Sequence, residues 1–428
     1  MAQQEVVLFW FRRDLRVHDN KGLYKALKSG YPVVPIFIFD DSILKTLPKN
    51  DARVSFIHQE LTKLNALLGE NFSSGIRTFH GRPEEVISEI CKEYKVLKVF
   101  TNRDYEPYAA TRDKTIEAVL QQFGATLVTF KDQVIFEQNE IVKADGTPYV
   151  VYTPYKRKWL EAFHENSEEK QYSSEKELHH LLKQTNTIHS LQEMGFESSE
   201  IKTPNFVTTS SRIENYEATR NFPGLSDGTT KLGTHLRFGT VSVREMVNLG
   251  DNATNQVFLS ELIWREFFMQ ILWHFPHTVT QSFKPKYDRI VWRNNEAEFE
   301  KWKSGNTGYA LVDAGMRELN ATGFMHNRVR MLVASFLCKH LLIDWRWGEA
   351  YFAEKLLDFE LASNVGNWQW AAGSGVDAAP YFRIFNPMTQ VDKFDKQLKY
   401  INTWVPELQE FNYPEKMVDH KMARERCL

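Results

Sequence analysis

Apolar residues follow two rhythms along this chain, and the change from one to the other divides it. In the first third, short unbroken apolar runs at 6–11, 33–39, 76–79 and 96–100 predict strands buried on both faces. The stretches at 20–29, 51–68 and 84–93 have helical spacing. Their alternation predicts a doubly wound, Rossmann-like α/β domain with a parallel sheet over residues 1–130. No G-x-G-x-x-G follows the first strand, so the standard dinucleotide fingerprint is missing there. From residue 216 onward strand signals vanish and helical spacing dominates, which predicts an all-α domain of roughly two hundred residues, 206–428. The polar stretch ENSEEKQYSSEKELHHLLKQ marks residues 131–205 as a partly helical surface connector.

Composition adds limits rather than a class. Hydrophobic content of 42% is ordinary for a soluble protein, while an aromatic share of 13% is enough to line a ligand site. The formal net charge of −2 gives no global footprint for nucleic acid, so a DNA surface would have to be a local basic patch. Lys286, Arg289, Arg293, Arg328, Arg383, Lys393, Lys396 and Lys399 supply candidates, Arg328 and Arg383 foremost. Cys91, Cys338 and Cys427 have neither metal-ligand spacing nor the even count of a disulfide framework. No metal is expected. The first residues carry no basic leader, and no apolar run reaches membrane-spanning length. The expectation is a cytoplasmic protein, monomeric and without an obligate protein partner.

The segment 358–387, DFELASNVGNWQWAAGSGVDAAPYFRIFNP, concentrates the chemistry. Asn364 and Trp368 share a helix face, with Trp370 on another side of the same turn. Gly373 and Gly375 permit close backbone approach and Pro380 ends the helix, so the segment reads as the rim of a deep pocket. An amphipathic helix with tryptophans in the core fits the same residues. Gly228 to Gly233, GTTKLG, gathers hydroxyls and free N–H groups at a helix start, where phosphate binds or a plain cap forms. Glu261, Trp264, Arg265 and Phe268 share one face, so Glu261 either pairs with Arg265 on a solvated surface or serves an aromatic-lined site. Asn327, Arg330, Met331 and Ala334 share another.

These motifs together, with VLFWFRRDLRVHDN and GYALVDAGMRELNATGFMHNRVRM, resemble the DNA photolyase and cryptochrome family, most of all bacterial class I photolyases of cyclobutane pyrimidine dimers. The resemblance implies FAD held in the helical domain, active when reduced. It assigns Tyr216, Arg220, Thr229, Thr230, Lys231, Leu232 and Gly233 to the flavin phosphates, and Arg330, Asp358, Glu360 and Asn364 to the isoalloxazine. Glu360 stands where the family often carries Asp. Glu261, Trp264, Asn327, Arg328, Met331, Trp370 and Arg383 would meet UV-damaged DNA, with Glu261, Asn327, Met331 and Asn364 at the catalytic centre. Trp368, Trp345 and Trp292 match a chain that carries an electron inward during photoreduction. The segment from Asn102 through Tyr105 and Glu106 resembles an antenna contact, leaving a second chromophore of folate or deazaflavin type open.

On this resemblance the protein is a light-dependent lyase. A flipped-out dimer receives an electron from excited reduced flavin, splits and returns it, while Glu261 stabilises the anion by hydrogen bonding. His326-Asn327 departs from the paired histidines of photolyases acting on (6-4) photoproducts. A cryptochrome-type photoreceptor, a (6-4) photolyase and a light-independent electron-shuttling flavoprotein are the alternatives.

Overall fold

The computed structural model describes residues 3–165, 171–378 and 380–428. The described chain forms two compact units, each assembled from separate stretches: 3–140, 160–203 and 233–248 in the first, and 141–159, 204–232 and 249–428 in the second. Residues 166–170 of the expected connector lie outside the described residues.

In the first unit five parallel strands, β1 Glu5–Phe11, β2 Val33–Asp40, β3 Arg77–Gly81, β4 Lys95–Asn102 and β5 Thr126–Phe130, lie in the order β3-β2-β1-β4-β5. Between them run helices α1 Lys21–Leu27, α2 Ala52–Phe72, α3 Pro83–Glu93 and α4 Pro107–Gln122. Side chains on a strand alternate between faces. Val7, Phe9 and Phe11 therefore enter one core with Phe37 and Phe39, while Val6, Leu8 and Trp10 enter the other with Ile36 and Ile38. Covering both faces is what makes β1 and β2 unbroken apolar runs.

The polar stretch expected as a connector is packed instead. Leu178, Leu181, Leu191, Met194 and Phe196 are buried in the first core, as is Phe238 from a later return of the chain. Their spacing follows short turns rather than a helical or strand period, so it carries no periodic signal. Buried ion pairs fasten these returns. Arg244 bonds Asp19 at 3.0 Å and Asp132 at 2.8 Å, and Arg16 bonds Asp132 at 2.7 Å.

The second unit is helical. Its central elements are α5 Val257–His274, α6 Ala310–Thr322, α7 Asn327–Ser335, α8 Trp345–Lys355, α9 Leu361–Ala372 and α10 His420–Cys427. A π-helical turn, Phe336–His340, extends α7. Helices α8 and α9 cross closely at Gly348, where an added Cβ would lie 2.1 Å from the Trp368 ring. Glycine is therefore required there. Among the described residues, no helix is long and apolar enough to cross a membrane, and all three cysteines are free and buried.

Candidate active site

A cleft with about 600 Å³ of empty space, part of it open to solvent, lies among α7, α8 and α9. Asn327, Arg330, Met331 and Ala334 line one wall, as their shared helical face predicts. Asp358, Glu360, Asn364, Trp368 and Trp370 line the other.

The polar groups in this cleft are fixed before any ligand arrives. The Arg330 guanidinium grips Asp358 bidentately at 2.9 and 3.1 Å while its Nε donates to the Met325 carbonyl at 2.7 Å. Asn364 is buried, and its Nδ2 donates to Glu349 twice, to the backbone carbonyl at 3.1 Å and to Oε1 at 2.8 Å. The Asn364 carbonyl is thereby given one orientation. Burial pushes the Glu349 carboxyl above its ordinary pKa. Glu360 caps α9, accepting from Ser363 N at 3.0 Å and Ser363 Oγ at 2.9 Å, so part of its carboxylate serves the helix start.

The start of α7, which carries Asn327, is fixed from behind. The preceding residue, His326, accepts from Arg328 N at 3.1 Å and caps α7, and its own N–H donates to the buried Glu318 at 3.3 Å. Tyr400 donates to the same carboxyl at 2.5 Å. Burial, reinforced by Arg330, Arg328 and Arg220, pushes the His326 pKa down to about 4.

Glu261 and Arg220 stand elsewhere, on a second and more open cleft with Lys156, Glu217 and Asn255. Glu261 pairs with Arg220 rather than with its helical neighbour Arg265. Arg220 lies over the Tyr216 ring, 5.6 Å from its centroid. Trp264, one turn along α5, stacks on Tyr152 at 3.6 Å with 9° between the planes, and Phe268 follows at 5.6 Å. Arg328 has its pKa lowered by burial first and then by the positive charges of Arg220 and Arg383. Its Nε is buried without a hydrogen-bond partner, and its guanidinium sits 4.4 Å from the Phe394 centroid. Three arginines converging with Glu261 as the acid among them make a local cationic patch on a chain of net charge −2.

Thr229 to Leu232 form a loop in which Lys231 takes a left-handed φ of 53°, and Gly233 opens the helix Gly233–Phe238. This loop and Tyr216 are not among the residues lining the first cleft. Trp368 lines that cleft and is also packed in the core, with Phe352 at 5.0 Å and Trp302 at 6.1 Å. Trp345 is buried three residues before Gly348, and half-buried Trp292 packs against the same core. In the first unit, the residues resembling an antenna contact have internal partners. Asn102 donates to Asp14 at 2.6 Å and Asn20 at 2.8 Å, Tyr105 donates to Glu137 at 3.3 Å, and Arg13 donates to Glu106 at 3.1 Å.

The residues around the first cleft fit a planar heteroaromatic ligand. An oriented amide, a clamped guanidinium and an indole converge on one space, between apolar walls that include Phe352, Leu356 and Ala371. Sequence reasoning missed Glu349, Tyr152 and Glu318. Glu349 acts on Asn364 from fifteen residues away and Tyr152 on Trp264 from more than a hundred, both outside the motifs. Glu318 sits within GYALVDAGMRELNATGFMHNRVRM but shows no sign there of its bond to His326.

The chain is similar to known proteins along nearly its whole length. Residues 7–173 match the family model described as DNA photolyase, and residues 258–412 match the FAD binding domain of DNA photolyase. A deoxyribodipyrimidine photo-lyase of Halobacterium salinarum is 35% identical, over 98% of this chain and 98% of its own. One from Escherichia coli is 34% identical, over 98% and 97%. Among solved structures, a bacterial class III photolyase from Agrobacterium tumefaciens superposes with a TM-score of 0.87 at 33% identity, covering 100% of this chain and 97% of the other. An archaeal photolyase from Sulfolobus tokodaii carrying two FAD molecules gives 0.80 at 32%, covering 99% and 98%.

Proposed function

The chain belongs to the DNA photolyase family, and on that footing we propose that it is a light-driven carbon–carbon lyase that splits cyclobutane pyrimidine dimers in UV-damaged DNA. The observation that carries this reading is the first cleft, whose lining brings residues assigned to a flavin and residues assigned to a lesion around one space. FAD, when bound and reduced, supplies the light-absorbing electron donor. Asn364, oriented by Glu349, and the Arg330–Asp358 pair hold its ring system, and Thr229 to Gly233 with Tyr216 and Arg220 hold its phosphates.

On the lesion side, Asn327 offers hydrogen bonds to base edges and Met331 and Trp370 supply apolar contact to an extruded dimer. Base stacking on such aromatic surfaces contributes about 1–3 kcal/mol per base. Glu261, in its protonated form, donates a hydrogen bond to the dimer bases, and Arg328 and Arg383 bind backbone phosphates. Trp368, Trp345 and Trp292 form the route for photoreduction. In support, Trp368 lines the cleft, Trp345 is buried in the core and Trp292 is a partly buried indole packed against that core. The free buried thiols fit a reducing compartment, and the reading extends to a cytoplasmic monomer with a second chromophore of folate, deazaflavin or flavin type.

The test uses the purified flavoprotein, reduced and mixed with an oligonucleotide carrying a thymine cyclobutane dimer. Dimer loss in blue light and not in darkness, abolished in Glu261→Ala combined with Asn327→Ala, is the expected result. Flavin photoreduction without dimer loss would move the assignment to a photoreceptor or to (6-4) repair.

A further inference from the structure

Lys339 belongs to the π-helical turn after α7, and 2% of it is exposed. Among the described residues, its ammonium finds its hydrogen-bond acceptor in the backbone carbonyl of Arg383, at 2.9 Å. Burial pushes its pKa down. Removing an ammonium from water costs several kcal/mol, and an apolar side chain of the same length would fill the space without that penalty. The bond to the loop at 380–386 is therefore the feature that distinguishes a lysine here. A π-helical turn is itself uncommon and often marks a functional position.

The loop is tied down a second time. Tyr381 donates to the carbonyl of Cys427 on α10 at 2.5 Å. Helix α10 is in turn joined to the π-helical turn, where His340 Nε2 and His420 Nδ1 lie 2.8 Å apart and Arg426 donates to the His340 carbonyl at 2.5 Å. Lys339 grips the backbone of Arg383, and Tyr381 is anchored two residues before it. Arg383 itself is exposed, its guanidinium 5.5 Å from the Phe385 centroid, and its charge adds to burial in lowering the Arg328 pKa. Phe382 is exposed between them.

We propose that Lys339 and Tyr381 are positioning residues that hold the loop at 380–386 so that Arg383 meets a DNA phosphate at the cleft mouth. This rests on the lesion-binding reading above. The loop pays its ordering entropy on folding rather than on binding, so cutting an anchor weakens DNA affinity and leaves the chemistry of bound DNA alone.

The experiment is a double-mutant cycle on the FAD-loaded protein with dimer-containing duplex, measured as dissociation constant at several salt concentrations and as repair rate at saturating DNA. Arg383→Ala is expected to weaken binding about tenfold and to lower the salt slope by about one. Lys339→Met is expected to weaken it about fivefold with repair at saturation unchanged, Lys339→Arg to recover part of the loss, and Lys339→Met with Arg383→Ala to bind no worse than Arg383→Ala alone. Multiplied losses in the double variant, or a Lys339→Met protein that binds like the parent, overturn the proposal. If Arg383→Ala changes neither affinity nor slope, the lesion-side reading of the loop fails and the proposal falls with it. Should Lys339→Met not fold, Tyr381→Phe tests the other anchor by the same cycle, and parental affinity there overturns the proposal.

Discussion

Asn364 owes its orientation to a residue fifteen positions earlier, Glu349, which accepts through both its side chain and its backbone. Glu349→Ala removes the side-chain acceptor and leaves a buried N–H half satisfied. The expected destabilisation is about 1–3 kcal/mol, with Glu349→Gln milder, read as the shift in urea midpoint at constant slope. Two buried histidines give a pH signature. His326 and His340 have their pKa values pushed down to about 4 and about 3 by burial first and neighbouring positive charge second. The unfolded chain protonates these rings near 6.5, so their contribution is present above that pH and is lost as pH falls from there towards 4 and 3. Stability measured from pH 7 to 4 should decline, and His340→Gln should flatten the decline. Glu318 and Glu349, raised by burial, act with the opposite sign, giving up stability as pH rises through their folded values. At this scale the sequence showed which residues share a face, as with Asn327, Arg330 and Met331. The family resemblance implied Arg330 paired with Asp358, as the structure has it, but nothing showed Glu349 against Asn364, because side-chain pairing across helices leaves no periodic trace.

At the scale of elements, the crossing of α8 and α9 decides where Trp368 stands. Gly348→Ala would drive a methyl into that indole and is expected to cost about 1–3 kcal/mol, occasionally more, as overpacking does. Displacement of the ring would appear as altered tryptophan fluorescence together with a lower melting temperature. The central strands were legible because β1 and β2 are covered on both faces and show it as unbroken apolar runs. β5 is an edge strand of intermediate exposure and gave no such run. The helical unit was legible as a class from its spacing. Its π-helical turn was not, since one inserted residue in a helical run does not alter composition.

For the whole molecule, net charge misleads about binding. A formal −2 coexists with Arg220, Arg328 and Arg383 gathered at one place, so affinity for dimer-containing DNA should fall steeply with salt. Replacing Arg328 or Arg383 by alanine is expected to reduce the slope of log affinity against log salt by about one each, measured by titration from low to physiological ionic strength. The two units also interleave along the sequence, and Arg244 completes the ion pairs of Asp19 and Asp132 from beyond residue 240. During synthesis the nascent sheet therefore waits with Asp19 lacking the Arg244 guanidinium and Asp132 holding Arg16 alone until well over half of the polypeptide has left the ribosome. A gene cut at the apparent end of the strand-rich region would encode a fragment with its keystone missing, prone to capture by chaperones or proteases rather than to independent folding.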